Sequence, residues 1–175
     1  GMGAKALEFT ILTAARSGEA REAVWGEIDI DAALWTIPAE RMKAGRPHVV
    51  PLPSRAVELL RPLREAAQGD LVFPGAKGKP LSDMSLAAVL KRMKLDVTVH
   101  GFRSAFRDWA GNETGFPREI MEEALAHQVG NAVERAYRRQ AAVDKRRTLM
   151  AAWAGFLNPP AGGNVRKLGR KAGAA

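Results

Sequence analysis

Apolar and polar positions repeat at helical spacing along most of this chain and at strand spacing in one early stretch. Residues 4 to 14, Ala-Lys-Ala-Leu-Glu-Phe-Thr-Ile-Leu-Thr-Ala, are apolar on nearly every side, which predicts a helix buried in the core. Ala15-Arg16-Ser17-Gly18-Glu19 interrupts it, and Ser17 is placed to cap a second helix running to about Trp25. Glu27 to Ile30, Leu34 to Pro38 and His48 to Leu52 then read as strands, with Asp31-Ala32-Ala33 as the turn between the first two. They predict a small antiparallel sheet with Lys43 near a hairpin tip.

Helical spacing then returns. A helix is predicted from a Ser54 cap to about Ala67, with Leu59, Leu60 and Leu63 inward and a kink at Pro62. Leu71 to Pro74 reads as extended, and a Gly/Lys loop follows through Pro80. The next helix starts at Ser82 or Asp83 and runs to about Lys94, with Leu86, Val89, Leu90 and Met93 on its inner face. Phe102, Phe106 and Trp109 share one face of a helix that begins at His100. Ile120, Met121 and Leu125 mark a short helix after Gly115-Phe116-Pro117. Gly130 and Asn131 turn the chain into a helix carrying Tyr137. Leu149, Met150, Trp153, Phe156 and Leu157 define a terminal helix that Pro159-Pro160 stops. The fold class is therefore mainly α with a small antiparallel β-sheet, an α+β arrangement.

Length and charge sharpen this picture. The 175 residues suit one domain over 1–157, followed by a tail at 158–175. That tail carries Arg166, Lys167, Arg170 and Lys171 with no acid and is predicted to be disordered. Net charge is +8, and four of those charges lie in the tail, so the domain itself is only mildly basic. A basic excess favours a polyanionic partner such as nucleic acid. There is no cysteine, hence no disulfide framework and no thiolate metal site. No apolar run reaches membrane-span length, and no membrane partner is expected. Gly1-Met2 reads as a tag remnant ahead of an initiator methionine.

The candidate chemistry gathers between His100 and Tyr137. Tyr137 is the only tyrosine and stands beside Arg135, Arg138 and Arg139; His100 and His127 are two of the three histidines. A phenol is a weak nucleophile near neutral pH and needs a base and a cationic setting, which His and Arg provide. Earlier in the chain, Arg16 directly follows a nearly all-apolar helix. A charge there is either paired, with Glu19 as the obvious partner, or set to bind something. No carboxylate cluster with metal-ligand spacing, glycine-rich phosphate loop or Gly-x-Ser-x-Gly elbow is present. A cationic site with a phenol nucleophile suits phosphoryl transfer without a metal or other cofactor. Arginines hold the non-bridging oxygens, a histidine helps take the phenol proton, and a lysine protonates the leaving oxygen.

Taken in order, these residues resemble a known family. Ala14-Ala15-Arg16-Ser17-Gly18-Glu19, Lys43, His100-x-x-Arg103, Leu125-Ala126-His127 and Tyr137 look like the ordered signature of tyrosine recombinases. The wording from Trp35 to Lys43, Ala136 to Arg139 and Ala152 to Leu157 is similar to phage and genomic-island integrases. The resemblance covers roughly residues 4 to 157 and implies the fold of that family's catalytic domain.

It further implies site-specific DNA recombination, the integration or excision of a mobile element. Tyr137 is the implied nucleophile, forming a 3′-phosphotyrosyl bond and freeing a 5′-hydroxyl. Arg16 and Arg103 would hold the phosphate, Lys43 act as general acid, His100 assist proton transfer, and His127 hydrogen-bond the phosphate. The implied partners are double-stranded attachment-site DNA, three further copies in a tetramer on that DNA, and a DNA-bending host factor and excisionase. The implied location is bacterial cytoplasm, with the nucleoid. Against the family pattern, the chain reads as starting inside the catalytic domain, without the family's core-binding domain. His48 has no place in the signature and reads as a strand residue. Two rivals stand beside this reading: a type IB topoisomerase, similar at its active site, and a DNA-binding remnant without catalysis.

Overall fold

In this computed structural model residues 1–127 and 139–158 are described. Helix α1 (Met2–Thr13) is the element on which both halves of the core close. Its apolar surround leaves only two polar side chains to satisfy inside. Thr10 and Thr13 do so by donating to the Ala6 and Phe9 carbonyls, each at 2.7 Å. On one side Phe9 meets the rings of Trp35 and Phe73, with centroids at 5.1 and 5.3 Å. On the other, Ile11 packs against the second cluster, and its carbonyl accepts the Trp153 indole N–H at 2.8 Å. Truncating Phe9 would open both the α1–sheet and α1–Phe73 contacts at a cost of about 3–5 kcal/mol.

The first half of the core is built from α1, α2 (Ser17–Arg21), a three-stranded sheet, α3 (Ser54–Glu65) and α4 (Ser85–Arg92). The sheet runs β1 (Ile28–Asp29), β2 (Leu34–Ile37), β3 (His48–Pro51), antiparallel throughout. Period-two patterning on β2 buries Trp35 and Ile37 and exposes Thr36. The pairings Trp35↔Val50 and Ile37↔His48 put Val50 and His48 on that same inner face. Helices α5 (Gly101–Glu113), α6 (Arg118–Ala124) and α7 (Arg139–Leu157) form the second half, where the Phe106 ring meets Trp153 edge-on at 5.4 Å. α7 also covers the open side of β3: Arg146 donates to the Val49 carbonyl at 2.6 Å.

Two sequence-based boundaries of the second helix shift. The second helix ends at Arg21 rather than near Trp25, because the chain turns extended to pair with the segment after α3. Trp25 donates to the Asp70 carbonyl at 2.8 Å, and Val72 to Ala23 at 2.9 Å. Its N-cap is Arg16, not Ser17: the Arg16 amide donates to Glu19 at 2.9 Å, one half of a capping box. Pro62 lies inside α3 without ending it, on the exposed face, where water can serve the carbonyl left without an amide. The terminal apolar stripe folds back on its own chain: Leu149, Met150 and Trp153 are buried, and Phe156 stacks on Trp109 and Trp153. Among the described residues no helix is long and apolar enough to cross a membrane. The expected turn at Gly130 and Asn131 lies outside the described residues, as does the tail from 159 onward.

Candidate active site

Arg103 ties three chain segments together. It sits in the first turn of α5 and is 7% exposed, so its donors need partners other than bulk water. One Nη donates to the Ala14 carbonyl at the end of α1, and the other to the Leu125 carbonyl at the end of α6, at 2.8 Å. Both anchors sit beside left-handed alanines: Ala14 itself has φ 50°, and Ala126, next to Leu125, has φ 55°. An L-residue adopts that conformation against a penalty of about 1 kcal/mol, so tertiary contacts must hold it there. The result brings the Arg16 segment and the His127 segment to one seam between the two halves of the core.

Arg16 follows at the N-cap of α2. Its guanidinium pairs with Glu19 at 2.7 Å and remains about one-third exposed. The pairing expected from sequence is therefore present, and it leaves Arg16 at the surface of the site. Arg16 and Lys43 line the same open depression of about 370 Å³, together with Glu19, Glu22 and Arg41. Lys43 itself is exposed, in the β2–β3 connection. Burial first, and then the Arg16 charge, hold the Arg103 guanidinium down to about 10, with Glu19 partly offsetting both. Arg103 stays cationic at neutral pH, in a site where two arginines share one carboxylate. An anion entering there relieves repulsion between the two cations.

His100 is the N-cap of α5 and is exposed; its carbonyl accepts the Arg103 amide at 3.0 Å. His127 ends the α6 turn. Its amide donates to the Glu122 carbonyl at 2.9 Å while Ala126 donates to Glu123, which closes a Schellman motif. The His127 ring then meets the same residue, with Nδ1 2.5 Å from the Glu122 carboxylate. Burial works against the Glu122 carboxylate, but the hydrogen bonds from His127 and Arg107 outweigh it and hold the group below its usual range. With Nδ1 engaged, Nε2 is the nitrogen left to face a ligand. The structure thus joins the Arg16, Arg103 and His127 segments through the Arg103 hydrogen bonds and places Lys43 on the same depression as Arg16, with His100 at the start of α5. Tyr137 lies outside the described residues, two positions before α7 begins. Among the described residues there is no group of three or more His, Cys, Asp or Glu able to hold a metal ion.

Sequence reasoning missed several supporting groups. His48 reads in sequence only as a strand residue, yet its register on β3 turns it inward. Burial, and then the charges of Arg146, Arg103 and Arg16, push it down to about 4, against a smaller opposing effect of the Ala124 carbonyl. Arg146 is 7% exposed. It occupies an inner position of α7 in the spacing Ala142, Arg146, Leu149, Met150, Trp153, and an arginine on a core stripe was the available signal. Glu122 carried no local signal, because nothing in sequence tells which carboxylate of α6 faces His127.

A family model described as "Phage integrase family" matches residues 3–143. The chain belongs to the phage integrase family. Among curated relatives, the prophage integrase IntA of Escherichia coli K12 is 39% identical over 162 residues, covering 90% of this chain. The integrase of Shigella phage Sf6 is 34% identical over 160 residues, covering 88% of it. The chain spans only 39% and 40% of the length of these two integrases. Among solved structures, the crystal structure of XerA recombinase superposes with a TM-score of 0.56 at 13% identity, over 80% of this chain and 61% of that one. The mainly helical integrase-family fold with its three-stranded antiparallel sheet is thus the one expected from sequence.

Proposed function

We propose that this chain carries the strand-exchange chemistry of site-specific DNA recombination, the integration or excision of a mobile element. The observation that carries the reading is the pair of hydrogen bonds from Arg103 to Ala14 and Leu125, which draws the Arg16, Arg103 and His127 segments to one cationic seam. In the proposed step Tyr137 Oη attacks the scissile phosphorus. The P–Oη bond forms as the bond to the 5′ oxygen breaks, giving a 3′-phosphotyrosyl link. The phenol proton passes towards His100, and Lys43 delivers a proton to the departing 5′ oxygen. Arg16, Arg103 and His127 offset the charge growing on the non-bridging oxygens. The covalent link conserves the energy of the broken ester, so religation to a new 5′-hydroxyl needs no nucleotide. The partners are double-stranded attachment-site DNA and, for exchange between two duplexes, a tetramer of this protein, with a DNA-bending host factor and an excisionase setting direction.

A nicked duplex bearing an attachment site from the ends of the element tests this. Cleavage beside the nick releases a short strand and traps the protein, so a covalent adduct appears on a denaturing gel. The adduct is expected from the chain, or from a version extended at its N-terminus, and is lost in Tyr137→Phe. Relaxation of plasmids without any site preference would favour the topoisomerase reading. Binding without an adduct in either version would favour the non-catalytic DNA-binding remnant.

A further inference from the structure

Lys43 is an exposed lysine on a ten-residue connection, a setting in which a flexible side chain has no reason to hold one place. The two residues before it are anchored. Met42 is 5% exposed and belongs to the core cluster. Arg41 ends a short 3-10 turn, Ala39–Arg41, and one Nη meets both carboxylate oxygens of Glu27. Its other Nη donates to the Glu19 carbonyl at 2.5 Å. Glu27, 7% exposed in its side chain, is itself fixed by the Trp35 indole N–H at 2.9 Å. Glu19 in turn is the residue that pairs with Arg16. A continuous chain of hydrogen bonds therefore runs Trp35–Glu27–Arg41–Glu19–Arg16, and Lys43 hangs two residues from its middle.

A largely buried ion pair of this kind contributes little net stability, since desolvation offsets most of the attraction. Its effect here is geometric. Glu27 and Glu19 lie on different segments, before and after β1 and α1, and Arg41 reaches both only when the β2–β3 connection lies against the site. We infer that Arg41, locked by Glu27, is a positioning residue that sets the base of Lys43 beside Arg16, at the distance where its ammonium protonates the departing 5′ oxygen. This rests on the reading of Lys43 as general acid.

The test replaces the scissile 5′ oxygen by sulfur in the nicked duplex. A thiolate departs without a proton, so a defect confined to the general acid disappears on the sulfur substrate. Lys43→Ala is the reference: it should cleave the oxygen substrate about 100-fold slower than the parent and the sulfur substrate at nearly the parental rate. Arg41→Lys and Glu27→Gln should follow the same pattern, with losses of about 10-fold or more on oxygen and little on sulfur. Glu27→Gln keeps an acceptor for Trp35, so it serves where Arg41→Lys folds poorly by circular dichroism. Equal slowing on both substrates, or no slowing on either, overturns the positioning role. If sulfur fails to rescue Lys43→Ala, or the parent cleaves neither substrate, the general-acid reading on which the inference rests is the one that fails.

Discussion

Glu122 holds His127 twice, by its backbone carbonyl to the His127 amide at 2.9 Å and by its carboxylate to the His127 ring at 2.5 Å. Arg107 grips the same carboxylate at 2.9 and 3.0 Å from α5, so the ring orientation is set by two helices at once. Histidine ligands elsewhere are oriented in this way, the far nitrogen being aimed by what the near one binds. Glu122→Gln can still accept from one nitrogen but loses the charge that holds Arg107. Its strand-cleavage rate should fall about tenfold through misorientation of His127, with DNA binding unchanged in a gel-shift assay.

The same carboxylate gives a stability prediction at low pH. Its folded value lies below the usual one, so its contribution is complete above the ordinary carboxylate range and is lost as pH falls through the lower folded value. Thermal melting from pH 6 to pH 3 should show a steeper acid decline in the parent than in Glu122→Gln.

His48 acts higher on the pH scale. It is neutral in the folded protein, at about 4, and ordinary when unfolded, so protons bind the unfolded chain first. Its contribution is complete above about pH 6.5 and declines as pH falls towards 4, by up to about 3 kcal/mol. The groups facing it are Arg146 on α7, Arg103 on α5 and Arg16 before α2, all cationic through this range. His48→Leu should flatten the melting temperature between pH 6.5 and 4.

Arg103→Lys keeps a positive charge but presents one nitrogen in place of a planar fork. It cannot serve the Ala14 and Leu125 carbonyls together, and one is left unpaired. A loss of about 1–3 kcal/mol is expected in urea denaturation, and adduct formation should drop by at least about 100-fold.

Two left-handed positions offer the opposite result. Lys94 follows α4 at φ 56° and Ala126 follows α6 at φ 55°, each in a Schellman turn where glycine has no steric penalty. Lys94→Gly and Ala126→Gly should each raise stability by about 0.5 kcal/mol, because relief of strain exceeds the added freedom of the unfolded chain. Neither should alter the cleavage rate, which separates this effect from those at Glu122 and Arg103.

The described helices, the period-two sheet and the family are legible in the sequence, because each is written in local spacing or short motifs. Phe102, Phe106 and Trp109 place α5 without reference to any other element, and Ala14 to Glu19 can be recognised alone. The sequence also placed Arg16, Lys43, His100, Arg103, His127 and Tyr137 as candidates. Tertiary structure decided what supports them. The extended stretch at Val24 is held by Asp70, Leu71 and Val72 alongside it, so no helical period before it could end α2 at Arg21. Glu122, Arg41 and Glu27 look like ordinary surface charges in sequence. Their roles come from partners 5 to 22 positions away, brought to hydrogen-bonding distance by chain crossings. His48 and Arg146 follow the same rule: a side chain's charge state is set by what surrounds it in space. The linear pattern says which side chains are present, and packing alone says which of them share a site.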